Sequence, residues 1–360
     1  MNILHVIDKM GLGGAQKVVE GIVGYYDSQD YVYCYALREN SFSSNYKKII
    51  TRNTNSKYDL MSIHELKSII KKNNIQILHC HLLKSFFIGY VVKKLYFKDI
   101  KLIFHEHGKI FRNQSYYNFF LNYVQGDVDL FIGVSRATKY KLINYAKIPR
   151  EKIKVLYNFV DLENLNLQFL DEYESDKTVS YRNESGFIIG FAGRLDSIKG
   201  CEYLIKAVSY LLIPNVKLLI AGEGKEKKKL MELAEHLQVN KNIIFLGYVK
   251  QMLNFYKKID VLVVPSEFES FGIAVIEAQA CGVPVIASDV ESLNEIIKNG
   301  DDGLLFEFGN AKDLAKNIDL IYTNHHLKNT LRIHGINNAQ KYSRRYYIST
   351  LEDIYQSLFN

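Results

Sequence analysis

Pro265-Ser266-Glu267-Phe268-Glu269-Ser270-Phe271-Gly272-Ile273-Ala274-Val275-Ile276-Glu277 follows the short apolar run Val261–Val264. Four consecutive branched or leucine side chains fit a strand buried on both faces of a parallel sheet. Ser270 stands where a helix cap is expected, and Gly272 opens a helix carrying Ile273, Val275, Ile276, Ala278 and Ala280. Glu269 falls in the loop at the carboxyl end of the strand, and Glu277 in the second turn of the helix. A strand, a sharp loop and a helix N-terminus make an anion site, because free N–H groups and the helix dipole point outward there. Two carboxylates beside such a site suit a ligand carrying both phosphate and hydroxyl groups, and a sugar nucleotide is one.

The same strand–loop–helix rhythm runs through the chain. In the first half, strands are expected at Asn2–Ile7, Tyr31–Leu37, Ile75–His79, Leu102–His105, Leu130–Val134 and Ile153–Tyr157, with helices from Ala15 to Tyr25, Ser62–Lys72, Leu83–Tyr96 and from Ser135 to Ala146. In the second half, strands are expected at Phe187–Ala192, Val216–Ala221, Ile243–Leu246, Val261–Val264, Pro284–Ala287 and Gly303–Phe306. Helices are expected at Lys199–Leu211, Lys225–Leu237 and Gln251–Lys257, and from there to the C-terminus beyond the last strand. Repeated βα units imply parallel sheets covered on both faces, binding ligands beyond the carboxyl ends of their strands. Two such series in 360 residues imply two Rossmann-like α/β domains facing across a cleft. The expected limits are 1–165 for the first, 166–185 for a polar linker without period, 186–340 for the second, and 341–360 for a last amphipathic helix.

Composition excludes several classes. Hydrophobic content of 48% with 24% charged residues is that of a globular chain. There is no apolar run of 18 residues and no signal peptide at Met1–Ile7, which reads as a first strand. Cys34, Cys80, Cys201 and Cys281 are scattered without a C-x-x-C spacing, which fits reduced thiols and a cytoplasmic location. Residues 1–170 carry a net +10 and residues 171–360 a net −3. Solubility accounts for that asymmetry as readily as a partner does. The sharper reading is that the first half contacts an anionic membrane or acceptor. Basic and aromatic residues interleave at Lys139-Tyr140-Lys141 and Arg344-Arg345-Tyr346-Tyr347, but at helical spacing, so no nucleic-acid partner is expected.

Three further places carry chemistry. Gly11-Leu12-Gly13-Gly14 precedes a helix but is not a dinucleotide fingerprint, since Gln16 stands at the sixth position and no acidic residue ends the second strand. A tight turn with or without a phosphate fits it equally. Arg194 and Lys199 put two cations in the loop after Phe191-Ala192-Gly193. Arg can clamp a diphosphate and Lys adds a point charge, neutralising a departing nucleotide diphosphate. Two surface cations would be the bland account of that loop alone; a second anion site on the same sheet edge favours the other. His79 and His81, and His105 and His107, form H-x-H pairs, each on one face of a strand. Neither Cys80 nor Glu106 can complete a metal set from the opposite face, so no metal is expected, and one or two of the histidines are read as cleft-lining hydrogen-bond donors. His107-Gly108 is the foremost candidate.

Together these residues resemble the retaining glycosyltransferases of family 4, which have the GT-B fold. The resemblance rests on Gly13-Gly14, His107-Gly108, Gly193-Arg194 with Lys199-Gly200, Gly222-Glu223-Gly224, Glu269 with Glu277, and Ala280-Cys281-Gly282-Val283-Pro284. It is most specific from Phe191 to Phe306. Phe159 departs from it, in a turn where the family often has glycine. The resemblance implies a nucleoside diphosphate sugar, UDP-linked, as donor and a glycan or polyprenyl-linked acceptor in surface polysaccharide synthesis. It implies that Arg194 and Lys199 hold the diphosphate, that Phe271, Gly272 and Ile273 offer backbone N–H groups, and that Glu277 binds ribose. Glu269 would contact the transferred hexose and Tyr248-Val249 the base, while Gly13 and Gly14 close over the β-phosphate and His107 reaches the hexose. Catalytic roles are thus expected of Glu269, Lys199, Arg194 and His107, with no metal and no cofactor. It further implies that the last helix returns to the first domain. A sugar-nucleotide epimerase or hydrolase of the same fold is the alternative, and a non-catalytic nucleotide-sugar-binding protein a second.

Overall fold

The computed structural model describes the chain except for residues 12, 28, 30, 39–47, 53–60, 109–113 and 163–185. The expected linker therefore lies almost wholly outside the described residues. The chain divides into two compact units, Met1–Phe159 with Arg344–Asn360, and Val160–Ser343.

The first unit holds β1 (Ile3–Ile7), α1 (Gly14–Tyr25), β2 (Val32–Ala36), β3 (Ile49–Thr51), α2 (Met61–Lys72), β4 (Ile77–His81), α3 (Leu83–Tyr96), β5 (Lys101–Glu106), α4 (Ser115–Val124), β6 (Leu130–Gly133), α5 (Arg136–Asn144) and β7 (Ile153–Val155). All pairings in the sheet are parallel, in the order β3-β2-β1-β4-β5-β6-β7. The order reverses direction between β1 and β4, and ligands of open α/β sheets bind at that switch point. The final helix, spanning Arg344–Gln356, covers one face of this sheet: Tyr347, Ile348, Leu351, Ile354 and Tyr355 pack with Ile3, Ile77, Ile103 and Phe159.

The second unit continues with β8 (Ile188–Ala192), α6 (Cys201–Val208), β9 (Lys217–Ala221), α7 (Lys227–His236), β10 (Ile243–Gly247), α8 (Met252–Tyr256), β11 (Val261–Val264), α9 (Ile273–Ala280), β12 (Val285–Ser288), β13 (Leu304–Phe306), α10 (Ala311–Thr323) and α11 (His325–Ala339). Arg344–Gln356 is then α12. The six-stranded parallel sheet runs β10-β9-β8-β11-β12-β13, with its switch point between β8 and β11. Ile189, Phe191, Leu218, Ile220, Val261, Val263 and Ile286 fill its core. All four cysteines are free thiols. No helix among the described residues is long and apolar enough to cross a membrane.

Three local expectations are corrected. The helix expected from Lys199 starts instead at Cys201, because Gly200 adopts φ 62 and breaks it from the 3-10 turn Ser197–Lys199. Ser270 does not cap α9; the cap position is Gly272 at φ 99, and no side chain caps that helix. The fourth strand is shifted by two residues, so His79 and His81 both lie inside it, buried, rather than at its end. The short strand β3 and the helix α4 have no counterpart in the sequence expectations.

Candidate active site

In the second unit, the loops after β8 and β11 meet at the switch point. Gly200 carries the approach: a Cβ there would collide with the carbonyl oxygen of Pro265, and its left-handed φ already favours glycine. Glu267 N–H donates to the Ile198 carbonyl at 2.9 Å, tying the two loops by backbone. This brings Lys199 onto Glu269. The Lys199 Nζ donates to Glu269 Oε1 at 2.6 Å, and Ser266 Oγ donates to the same oxygen at 2.9 Å. Ser292 Oγ fixes the Glu269 backbone by donating to its carbonyl at 2.6 Å. Both side chains of the ion pair are largely buried, at 19% and 16% exposure. A pair so shielded is stronger than one in water. Both side-chain bonds use Oε1, so Oε2 lies outside this network among the described residues.

Arg194 stands on the same loop but not in the cluster. It is 78% exposed and reaches only its neighbour Asp196, at 3.3 Å. An exposed guanidinium with one weak partner is free to turn onto an anion. Phe271 is buried against the Tyr342 ring, and Gly272 and Ile273 open α9 with no acidic residue in its first turn. Uncapped N–H groups and the positive end of the dipole therefore remain at the carboxyl end of β11. Glu277, one turn on, is held by Tyr256, whose hydroxyl donates to Oε2 at 2.8 Å. Burial, and then the charge of Glu277, push the Tyr256 hydroxyl well above the usual phenol range, so it stays a donor. Tyr256 was missed at sequence level. Its only signal there is its position in the short apolar helix Leu253–Tyr256.

Tyr248 and Val249 follow β10, at the far edge of the sheet, with Tyr248 56% exposed. Three strand spacings separate β10 from β11, about 14 Å at the usual interval. These residues are not brought into the Lys199–Glu269 cluster. The loops after β10, β9, β8 and β11 instead form a row along one sheet edge, which suits an extended ligand.

In the first unit, Gly13 precedes α1 with an extended backbone, and Gly14 is the first helical residue. No side chain caps α1, and its first turn has no acidic residue. His107 follows β5. Gly108 N–H donates to Glu106 Oε1 at 2.8 Å, and Tyr117 donates to Oε2 of the same buried carboxylate, which fixes the turn behind His107.

The H-x-H pairs are joined by a fifth histidine, His5 on β1. His5 Nδ1 lies 2.9 Å from His81 Nε2, and His81 Nδ1 lies 3.0 Å from His107 Nε2. His79 Nε2 lies 3.2 Å from His105 Nδ1, and His79 Nδ1 lies 2.7 Å from the hydroxyl of Tyr355 on α12. That hydroxyl also lies 3.4 Å from His5 Nε2. Burial pushes His5 and His107 down to about 3, and holds His79, His81 and His105 well below the usual imidazole range with help from their neighbours. All five rings are therefore neutral near pH 7. His5, His79 and His81, and again His81, His105 and His107, bring ring nitrogens within 4.8 Å of one another. Neutral imidazoles so grouped could hold a transition metal. However, both nitrogens of His5, His79 and His81 are already spent in this network.

Comparison with known proteins agrees with this geometry. The description "Glycosyltransferase Family 4" matches residues 12–164 and "Glycosyl transferases group 1" matches residues 172–341. A capsular polysaccharide biosynthesis glycosyltransferase, CapM of Staphylococcus aureus, is 26% identical over 84% of this chain and 83% of its own. The UDP-Gal:alpha-D-GlcNAc-diphosphoundecaprenol alpha-1,3-galactosyltransferase of Escherichia coli is 27% identical over 72% of this chain and 69% of its own. The crystal structure of Anabaena HepE in complex with UDP and glucose superposes with a TM-score of 0.84 at 19% identity, over 99% of this chain and 100% of that one. Two parallel Rossmann-like sheets and two family descriptions that together span nearly the whole chain lead to one conclusion: the chain is an enzyme that belongs to the family 4, group 1 glycosyltransferases, with the GT-B fold.

Proposed function

We propose that the protein moves a hexose from a UDP-linked donor to a glycan or lipid-linked oligosaccharide acceptor in surface polysaccharide synthesis, retaining the anomeric configuration. The observation that carries the reading is the Lys199–Glu269 pair beside the uncapped start of α9. An ammonium has three N–H donors, so Lys199 can keep Glu269 and still bind a phosphate oxygen. Arg194 turns inward to share the diphosphate charge, and the N–H groups of Phe271, Gly272 and Ile273 meet the rest. Glu277, oriented by Tyr256, takes the ribose hydroxyls, and Tyr248-Val249 meet the base. Glu269 uses its outer oxygen to hold hexose hydroxyls. Gly13, Gly14 and His107 are contributed by the first unit.

In the reaction the bond from hexose C1 to the diphosphate oxygen breaks and UDP leaves with the electron pair. The acceptor oxygen bonds to C1 from the same face, and its proton passes to the departing phosphate oxygen. Lys199 and Arg194 stabilise the charge that builds on UDP, the contribution expected to dominate the barrier. The resident cations take the part a divalent metal would otherwise play.

We place the reaction at the cytoplasmic face of a membrane. Support comes from the lipid-linked acceptor named for the E. coli relative, the +10 charge of residues 1–170, and an aromatic face on α4. Tyr116, Phe119 and Tyr123 are 94%, 71% and 68% exposed there, with Phe87 of α3 nearby against Phe120. Such amphipathic rings favour the headgroup zone. The test is a thermal-shift and transfer screen over UDP-glucose, UDP-galactose, UDP-N-acetylhexosamines and GDP-mannose. One UDP-sugar is expected to stabilise the protein and support transfer. Preference for GDP-mannose would overturn the UDP assignment.

A further inference from the structure

The five histidines and Tyr355 form one unbranched hydrogen-bonded chain. It runs from His107 through His81 and His5 to the Tyr355 hydroxyl, and from there through His79 to His105. The two end nitrogens, His107 Nδ1 and His105 Nε2, are buried and without partner among the described residues. Each neutral imidazole carries one proton for two nitrogens. Every tautomer along the chain is therefore coupled to the next, and the direction is settled at one atom.

That atom is the Tyr355 oxygen. Its 2.7 Å distance to His79 Nδ1 is the usual length of a donated hydroxyl bond, whereas 3.4 Å to His5 Nε2 is a long N–H contact onto the same oxygen. The hydroxyl thus donates to His79 and accepts from His5. His5, protonated on Nε2, must accept at Nδ1 from His81 Nε2–H. His81 must then accept at Nδ1 from His107 Nε2–H. His107 is left with a bare Nδ1. On the other branch, His79 donates from Nε2 to His105 Nδ1, and His105 keeps its own proton on Nε2.

We propose that Tyr355 is a positioning residue, which through His5 and His81 holds His107 as the Nε2–H tautomer, so that His107 meets the donor sugar with a bare Nδ1 that accepts a hydrogen bond from a hexose hydroxyl. The proposal rests on the reading of His107 as a hexose contact. It reverses the expectation that the cleft histidines act as donors. A buried acceptor without a partner is costly, and a ligand hydroxyl removes that cost. The depressed titration of all five rings keeps the chain neutral and its direction defined. Tyr355, in the last helix, acts on His107 from 248 residues away in sequence without touching substrate.

The experiment is two-bond ¹H–¹⁵N NMR on the full chain labelled with ¹⁵N-histidine, with His107 assigned by His107→Ala. The wild-type spectrum is expected to show His107 protonated at Nε2. In Tyr355→Phe the hydroxyl is gone, and both tautomers of His107 are expected. The transfer kcat should then fall at least about tenfold, as for other removed second-layer partners, with donor KM within about twofold. Tyr347→Phe removes a buried hydroxyl of the same helix that has no partner among the described residues, and should change neither reading. A wild-type His107 protonated at Nδ1, or an unchanged Nε2–H tautomer in Tyr355→Phe, would overturn the proposal. Near-normal transfer by His107→Ala would instead overturn the hexose-contact reading, leaving the tautomer result standing.

Discussion

Lys199 and Glu269, 70 residues apart in sequence, share a 2.6 Å hydrogen bond at the carboxyl ends of adjacent strands. The bond makes one unit of a cation suited to phosphate and a carboxylate suited to sugar hydroxyls. Lys199→Ala or Glu269→Ala should lower transfer by about 10²–10³, as for loss of one transition-state contact. Each single variant also leaves a largely buried charge unpaired. The double variant should therefore lose less thermal stability than the sum of the two. Initial rates and melting temperatures of the three variants test this. Near-normal turnover in either single variant would remove both residues from the site.

Tyr256→Phe should act on binding rather than on the chemical step. Losing the bond to Glu277 loosens a group read as a ribose contact, which is made equally in ground and transition states. Donor KM should rise by about tenfold, near 1.4 kcal/mol, with kcat little changed. Steady-state kinetics with varied donor measure the split. A fall in kcat at constant KM would move Glu277 to the reacting centre.

Transfer should persist in excess EDTA, within about twofold of the untreated rate, since Arg194, Lys199 and the α9 N-terminus carry the leaving-group charge. Loss of activity on chelation with rescue by Mn²⁺ would contradict this, and would point to the neutral histidine groups as the place to look.

The histidine chain makes stability fall in acid. Its five rings stay neutral in the folded protein, with His5 and His107 lowered to about 3. In the unfolded chain each takes a proton below about pH 6.5. The unfolded state then binds more protons, so stability is fully present above about 6.5 and is lost as pH falls toward 3. Five such groups give a limiting slope of up to about 7 kcal/mol per pH unit. Melting temperatures from pH 7.5 to 4.5 should drop steeply, and a flat profile would show that the rings are charged when folded.

Replacing Tyr116, Phe119 and Tyr123 together by Ser should leave transfer to a short soluble acceptor unchanged. Co-sedimentation with vesicles containing anionic lipid should fall severalfold, because the rings supply the buried apolar area. Equal sedimentation of variant and parent would dismiss the aromatic face as a membrane contact.

Much of the second unit is legible from residues alone. Buried parallel strands are continuous apolar runs, so Phe187–Ala192, Val216–Ala221 and Val261–Val264 announce β8, β9 and β11 to within a residue. Loop glycines mark where the backbone turns. What is not legible depends on partners distant in sequence. Gly200 reads as a helix residue until Pro265 is seen lying over it. Ser270 has the chemistry of a cap but not the backbone position. The pairing of Tyr256 with Glu277 needs the register of two helices, and His5 gives no motif signal because its neighbours in space come from β4 and α12. The three-residue β3 is too short to show a period of its own.

Because α12 belongs to the first unit, that unit cannot be completed in the order in which it is made. The faces of Ile3, Ile77 and Ile103 leave the ribosome early, yet the helix that covers them is the last segment synthesised. At about 5–20 residues per second, the intervening Val160–Ser343 takes roughly 10–40 s to emerge. Throughout that interval an apolar sheet face and a half-built histidine chain stand open, so the nascent protein is a natural client for chaperones, and loss of its final residues strikes the beginning of the chain rather than its end.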